Sequence, residues 1–179
     1  DCFDELIKEK VSFSVKRSAE EDIADTNLEN LTWEHYQELE PVDSIEVSLL
    51  KADGSDTGYG SGVNWGIRKN GYKRNRNQAY IPYNAGDQKT GFFPKKNEDG
   101  TYPVFKVVTQ DYDAFYMRQA QENGKALETP ESNAIIGEWI RHKIGVPDGT
   151  YITKQMLETA DGTTVVFKKF EDGIYTLEY

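Results

Sequence analysis

Cysteine is almost missing from this chain: Cys2 is the single one in 179 residues. One thiol cannot build an internal disulfide framework or a cysteine-rich zinc site. A reducing, cytoplasmic setting is therefore expected. No uninterrupted apolar run is long enough to span a membrane. No charged-then-apolar leader opens the sequence, so no secretion signal is expected. Histidine is scarce, with His35 and His142 alone. Neither belongs to a His-Glu-x-x-His metal motif, and no Gly-x-Ser-x-Gly nucleophile elbow occurs. These absences leave no expected metal, cofactor or catalytic residue. The length is that of one domain, or one domain with an appendage, and is enough for a hydrophobic core.

Charge is plentiful but uneven. The net charge is −10, yet residues 1–44 hold 13 acids and 4 bases, a net of −9. The remaining 135 residues are nearly balanced, at −1. Within them, Ser61 to Tyr83 carries five bases (Arg68, Lys69, Lys73, Arg74, Arg76) and no acid. Local sign matters more than the total when the partner is a polyanion.

Residues 1–44 read as an acidic, partly helical linker. Phe3, Leu6, Ile7 and Val11 have helical spacing, Ser18 to Asn30 is polar and acidic, and Thr32 would cap a short helix that Pro41 stops. Residues 45–179 read as the domain. Ile45 to Leu49 alternates with the period of a half-buried strand. Seven Asx-Gly pairs follow, at 53–54, 70–71, 99–100, 123–124, 148–149, 161–162 and 172–173. Such pairs supply the positive φ of tight turns. Between them lie strand candidates at Gln78–Tyr83, Val104–Thr109, Phe115–Ala120, Thr163–Lys169 and Ile174–Tyr179. Many short strands predict a sandwich or barrel, not a parallel sheet. One helix interrupts them. Thr129-Pro130-Glu131-Ser132 starts it, and Ile135, Ile136, Trp139, Ile140 and Ile144 form its apolar stripe. Arg141, His142 and Lys143 suit its last turn, and Gly145 and Pro147 end it. A second short helix is expected from Thr153, burying Met156 and Leu157.

A hydrolytic site has little to draw on. Asp87-Gln88-Lys89 matches the short half of a metal-dependent nuclease motif, but the nearest upstream acid is Asp56. Gly58 to Gly62 lacks the following Lys-Ser/Thr and helix of a phosphate loop. The more informative stretch runs from Asn64, Trp65 and Arg68 through Lys69, Tyr72, Lys73, Arg74, Asn75, Arg76, Asn77 and Gln78 to Tyr80. A solvated loop is the ordinary account of five bases. The interleaved amides and aromatics add what phosphate contact and base-edge reading need: bases for phosphates and guanine, Asn and Gln for adenine. A second segment carries Gln119, Gln121, Asn123 and Lys125 and leads to Thr129, Ser132 and Asn133 at the helix start. Alternation would put Gln119 and Gln121 on one strand face, and a helix N-terminus suits a phosphate. Together the two segments would form the jaws of a clamp.

The ordered fragments Asn64-Trp65-Gly66-Ile67-Arg68, Asn77-Gln78-Ala79-Tyr80-Ile81-Pro82, Gly124-Lys125-Ala126-Leu127-Glu128-Thr129, Asn133-Ala134-Ile135-Ile136-Gly137-Glu138-Trp139-Ile140-Arg141, Thr164-Val165-Val166-Phe167-Lys168-Lys169 and Tyr175-Thr176-Leu177 resemble the C-terminal region of NgoFVII-type restriction endonucleases. The resemblance covers about residues 45–179. It implies a mainly β (α+β) fold, a B3-like open pseudobarrel of about seven strands with one main helix and a second short one. It implies sequence-specific binding of double-stranded DNA by an N-arm at Asn64 to Tyr80 and a C-arm at Gln119 to Asn133, both in the major groove. The catalytic centre of these enzymes lies in a separate upstream phospholipase-D-type domain. Neither histidine here opens the His-x-Lys pattern of such nucleases. The expectation is a targeting domain of a type II restriction endonuclease, not itself an enzyme. Its rivals are a nuclease centred on Asp87 and Lys89, and a single-strand-binding or protein-interaction barrel that stacks on Trp65, Tyr72 and Tyr80.

Overall fold

The computed structural model describes residues 32–68, 74–111 and 113–179. The amphipathic pattern at Phe3 to Val11, the acidic stretch at Ser18 to Asn30, and the Lys69, Tyr72 and Lys73 part of the first arm lie outside the described residues.

Seven strands form one mixed sheet. In chain order they are β1 (Asp43–Ser48), β2 (Ile81–Pro82), β3 (Phe105–Thr109), β4 (Ala114–Ala120), β5 (Ala126–Glu128), β6 (Thr164–Lys169) and β7 (Tyr175–Glu178). The spatial order is β1-β6-β7-β3-β4-β5-β2. Every pairing is antiparallel except β3 with β7, where Val107 lies opposite Tyr175. The sheet is thus antiparallel but for one parallel seam, in keeping with a barrel and not a parallel sheet.

The sheet curls until its two edge strands meet. Side chains close the gap in place of a ladder. Asn84 Nδ2 donates to Leu50 O at 3.2 Å, and Ser48 N donates to Asp87 Oδ2 at 3.1 Å. The result is a nearly closed, barrel-shaped sheet, the pseudobarrel expected from the sequence.

Alternation decides which residues fill it. Ile45 and Val47 of β1, Val107 of β3, Met117 of β4, Val165 and Phe167 of β6, and Leu177 of β7 are buried in one core. Helix α2 (Ala134–Ile144) adds Ile136, Trp139 and Ile140 to it. Each such side chain stabilises the fold by roughly 1.5–3 kcal/mol relative to exposure. Phe93 sits among Phe92, Phe105, Phe167 and Tyr175, with ring centroids 4.8–5.4 Å apart. Helix α3 (Lys154–Thr159) is capped by Thr153, whose side chain accepts from Met156 N, and it buries Leu157.

Two expectations change. Residues 78–80 are not strand, because their backbone bonds elsewhere: Ala79 N donates to Asn133 O and Tyr80 N to Gly62 O. Strand β5 appears where none was expected. Arg141 lies in the last turn of α2, as expected, and is fully buried there.

The segment before β1 also packs on the barrel. Helix α1 (Trp33–Gln37) is capped by Thr32, as expected, but it docks on the outer face of the sheet. Tyr36 is buried against Val108, Phe170 and Ile174, and its hydroxyl donates to Asp172 Oδ2 at 2.8 Å. Residues 32–44 are therefore part of the folded unit.

Candidate nucleic-acid interface

Two irregular segments meet beside the barrel seam. The first leaves a 3-10 turn at Gly62–Asn64 and returns at β2. The second is the β4–β5 hairpin with its run into α2. A hollow of about 220 Å³ separates their roots, lined among others by Lys51, Ser61, Tyr80, Asn84, Gln121 and Lys125. Two lysines flank it, an aromatic ring forms part of its wall, and two amides offer both donors and acceptors. Phosphate contact and base-edge contact need those groups.

In the first segment the aromatic and basic side chains stack. Trp65 is half-buried and meets Tyr80 edge-on at 5.8 Å, while the Arg74 guanidinium lies 4.7 Å above the Trp65 ring. Arg68 Nη1 donates to Gly60 O at 2.7 Å. Arg76 is exposed, with Nε donating to Gly149 O at 3.0 Å. Asn75 is exposed, and its Oδ1 accepts from Asn77 N at 2.9 Å. Gln78 is half-buried, and its Oε1 has no hydrogen-bond partner among the described residues.

Two amides of this segment are not surface groups. Asn64 is fully buried. Its Nδ2 donates to Ile152 O at 2.8 Å, and its Oδ1 accepts from Ile152 N at 2.7 Å. It ties the arm root to the strap before α3. Asn77 is also buried, and its Oδ1 accepts from Gly149 N at 2.6 Å. Both polar atoms of Asn64 and the side-chain carbonyl of Asn77 are thus engaged inside the fold, where they brace the arm.

The second segment departs from the expected strand alternation. β4 stops at Ala120. Gln121 turns to φ 64°, ψ 172°, so the two glutamines do not share a face through strand periodicity. Gln119 is half-buried and donates to Gly124 O at 3.4 Å. Asn123 at φ 60° and Gly124 at φ 63° make the tight hairpin turn that an Asn-Gly pair predicts. Gln121, Asn123 and Lys125 are exposed. Gln88 braces the turn, donating to Asn123 O at 3.2 Å and to Tyr83 O at 2.9 Å.

The start of α2 is closed rather than open to a phosphate. Thr129 is fully buried, and its Oγ1 accepts from Ile136 N at 3.4 Å while donating to Ser132 O at 2.7 Å. Ser132 Oγ accepts from Ala134 N, also at 3.4 Å. Donors left over at most helix starts already have acceptors here. Asn133 is the N-cap residue by position, but its side chain makes no capping bond.

The residues of the nuclease alternative serve the fold. Asp87 holds the barrel seam through Ser48 N, and Lys89 pairs with Asp43 at 2.7 Å. Asp56 accepts from Thr57 N and Lys154 N. Those backbone hydrogen bonds, that from Thr57 first, hold its carboxyl below the usual carboxylate range. Among the described residues no three His, Cys, Asp or Glu side chains gather as a metal site. None of the described helices is long and apolar enough to cross a membrane.

Residues 37–171 match the family model of the NgoFVII C-terminal B3-like DNA-binding domain. The chain belongs to that family. Comparison with curated proteins finds no match. Membership makes this B3-like domain a DNA-binding one. Sequence reading missed Lys51 and Asn84 as members of the hollow between the two segments. Each follows a strand end, and only closure of the barrel brings them beside Tyr80 and Lys125. Ser61 opened the first basic stretch in the sequence but carried no signal of its own.

Proposed function

We propose that this B3-like domain recognises a particular base sequence in double-stranded DNA. Its two arms, residues 64–80 and 119–133, enter the major groove. It acts as the targeting part of a type II restriction endonuclease whose catalytic, phospholipase-D-type domain lies upstream. This chain supplies recognition and no chemistry of its own. The observation that carries the reading is the hollow between the arms, with Lys51 and Lys125 at its edge and Tyr80, Asn84 and Gln121 in its wall.

Division of labour follows from exposure. Lys51, Lys125 and the arm bases other than Arg76 meet phosphates, which fix register. Arg76, Gln78, Gln121 and Asn123 face base edges, where Arg reads guanine and the amides read adenine. The trial is selection of bound duplexes from a random pool, followed by competition with non-cognate duplex and with single strands. Enrichment of one short site supports the reading. Equal binding of all duplexes, or preference for single strands, overturns it. Cleavage of DNA by the purified chain with Mg²⁺ would return the nuclease alternative.

A further inference from the structure

Helix α2 touches both arms along one face. Asn133, at its N-terminus, ends the second arm, and its carbonyl accepts from Ala79 N of the first arm at 3.0 Å. About one turn on, Gly137 has no side chain to obstruct the first arm. A Cβ there would stand 1.6 Å from Asn77 O. Another turn on, the fully buried Arg141 donates from Nη1 to Gly137 O at 3.1 Å and reaches Asn77 O at 3.5 Å. Its Nε donates to Thr150 O at 3.0 Å. The loop that Thr150 ends is itself bonded to the arm, through Gly149 to Arg76 and Asn77. Positions 133, 137 and 141 follow the four-residue spacing of a single helix face.

Arg141 is a costly way to fill this space. Among the described residues it forms no ion pair with a carboxylate. Its Nη2 is buried without an acceptor among them. Replacing a buried charge with an apolar side chain of similar volume is often neutral or stabilising, so packing alone does not explain a guanidinium here. What arginine adds is a rigid fork of donors, which here joins helix, loop and arm. Base contacts demand placement within about half an ångström. We infer that Arg141 is a positioning residue for base readout: with Gly137, it sets the height of Arg76 and Gln78 against the second arm. The inference rests on the DNA reading above.

The test uses the full chain and a duplex selected from a random pool. Wild type, Arg141→Lys, Arg141→Met and a core control, Val165→Ala, are compared by unfolding and by affinity for selected and scrambled duplexes. Arg141→Met should lower the ratio of specific to non-specific affinity about tenfold, the size of one lost base contact. Arg141→Lys should recover part of it. Val165→Ala should lower stability and leave the ratio unchanged. Amide exchange without DNA supplies an independent readout, in which Ala79 and Gly149 should lose protection in Arg141→Met. Should Arg141→Met fail to fold, Asn77→Ser removes the side-chain bond from Gly149 N by which the loop that Arg141 holds reaches the arm, and should give the same loss of ratio. A wild type that discriminates beside folded variants with unchanged ratios overturns the inference alone. A wild type that binds all duplexes alike overturns the DNA reading and this inference with it.

Discussion

An amide can hold a fold together or read a base, and burial separates the two uses. Asn64 engages Ile152 with both polar atoms, and Ile152 O also accepts from Thr57 Oγ1 at 2.7 Å. Asn64→Ala should cost about 3 kcal/mol in denaturant unfolding, because it leaves the buried Ile152 N–H unpaired and a cavity beside it. A loss below about 1 kcal/mol would show that water takes its place. Gln121 is the opposite case. It is exposed and held at positive φ, where a side chain adds strain and glycine does not. Gln121→Gly should therefore gain about 1 kcal/mol of stability by relieving that strain. It should also weaken specific binding by about 1–3 kcal/mol with little change in non-specific binding. Movement of stability and affinity in the same direction would contradict a reading role for Gln121.

Elements were legible in proportion to their length. β1, β3, β4, β6 and β7 announce themselves through four to seven residues of alternation or apolar enrichment, and α2 through a complete apolar stripe. β5 has three residues, too few to show a period, and only the two residues of β2 pair within the candidate at 78–83. Both exist because β4 and β5 fold back as a hairpin and β2 pairs with its far side. The seat of Asn64 was hidden for a related reason: its partner Ile152 lies 88 residues away. The burial of Arg141 was not legible, because dipole logic favours a basic last turn and says nothing of which face turns inward. Helix α1 gives this scale its prediction. Burial, then the hydrogen bond to Asp172, pushes the Tyr36 phenol well above its ordinary range. The unfolded phenol ionises near pH 10. Its contribution to stability is thus complete below that pH and is lost as pH rises, while the folded phenol resists ionisation. Tyr36→Phe should cost about 2 kcal/mol near neutrality and flatten the alkaline fall in stability. An unchanged alkaline slope would mean that Tyr36 ionises as freely in the folded state as in the unfolded one.

At the scale of the molecule, the acidic total conceals a division of charge. Residues 1–31 carry nine acids and four bases, while the first arm carries five bases and no acid. Two opposed effects on a polyanionic partner follow. In the proposed complex the arms would release counterions as they neutralise phosphates, an effect local to the contacts. The N-terminal residues repel the same partner through their summed field, which salt screens within about 8 Å at physiological ionic strength. The two can be separated. For the full chain on its selected duplex, four to six neutralised phosphates should give a log–log salt slope of about −4 to −5. Deletion of residues 1–31 removes five net negative charges and leaves Tyr36 and its Asp172 bond in place. The shortened protein should unfold cooperatively at an unchanged midpoint. Its affinity for scrambled duplex should rise most at low salt, and the preference for the selected duplex should stay within a factor of about two. Extending the deletion to residue 40 removes α1 as well, and the midpoint should then fall. If the shorter deletion already lowers the midpoint, the first thirty-one residues belong to the folded unit. If it abolishes discrimination, they take part in recognition, and the two arms do not read the site alone.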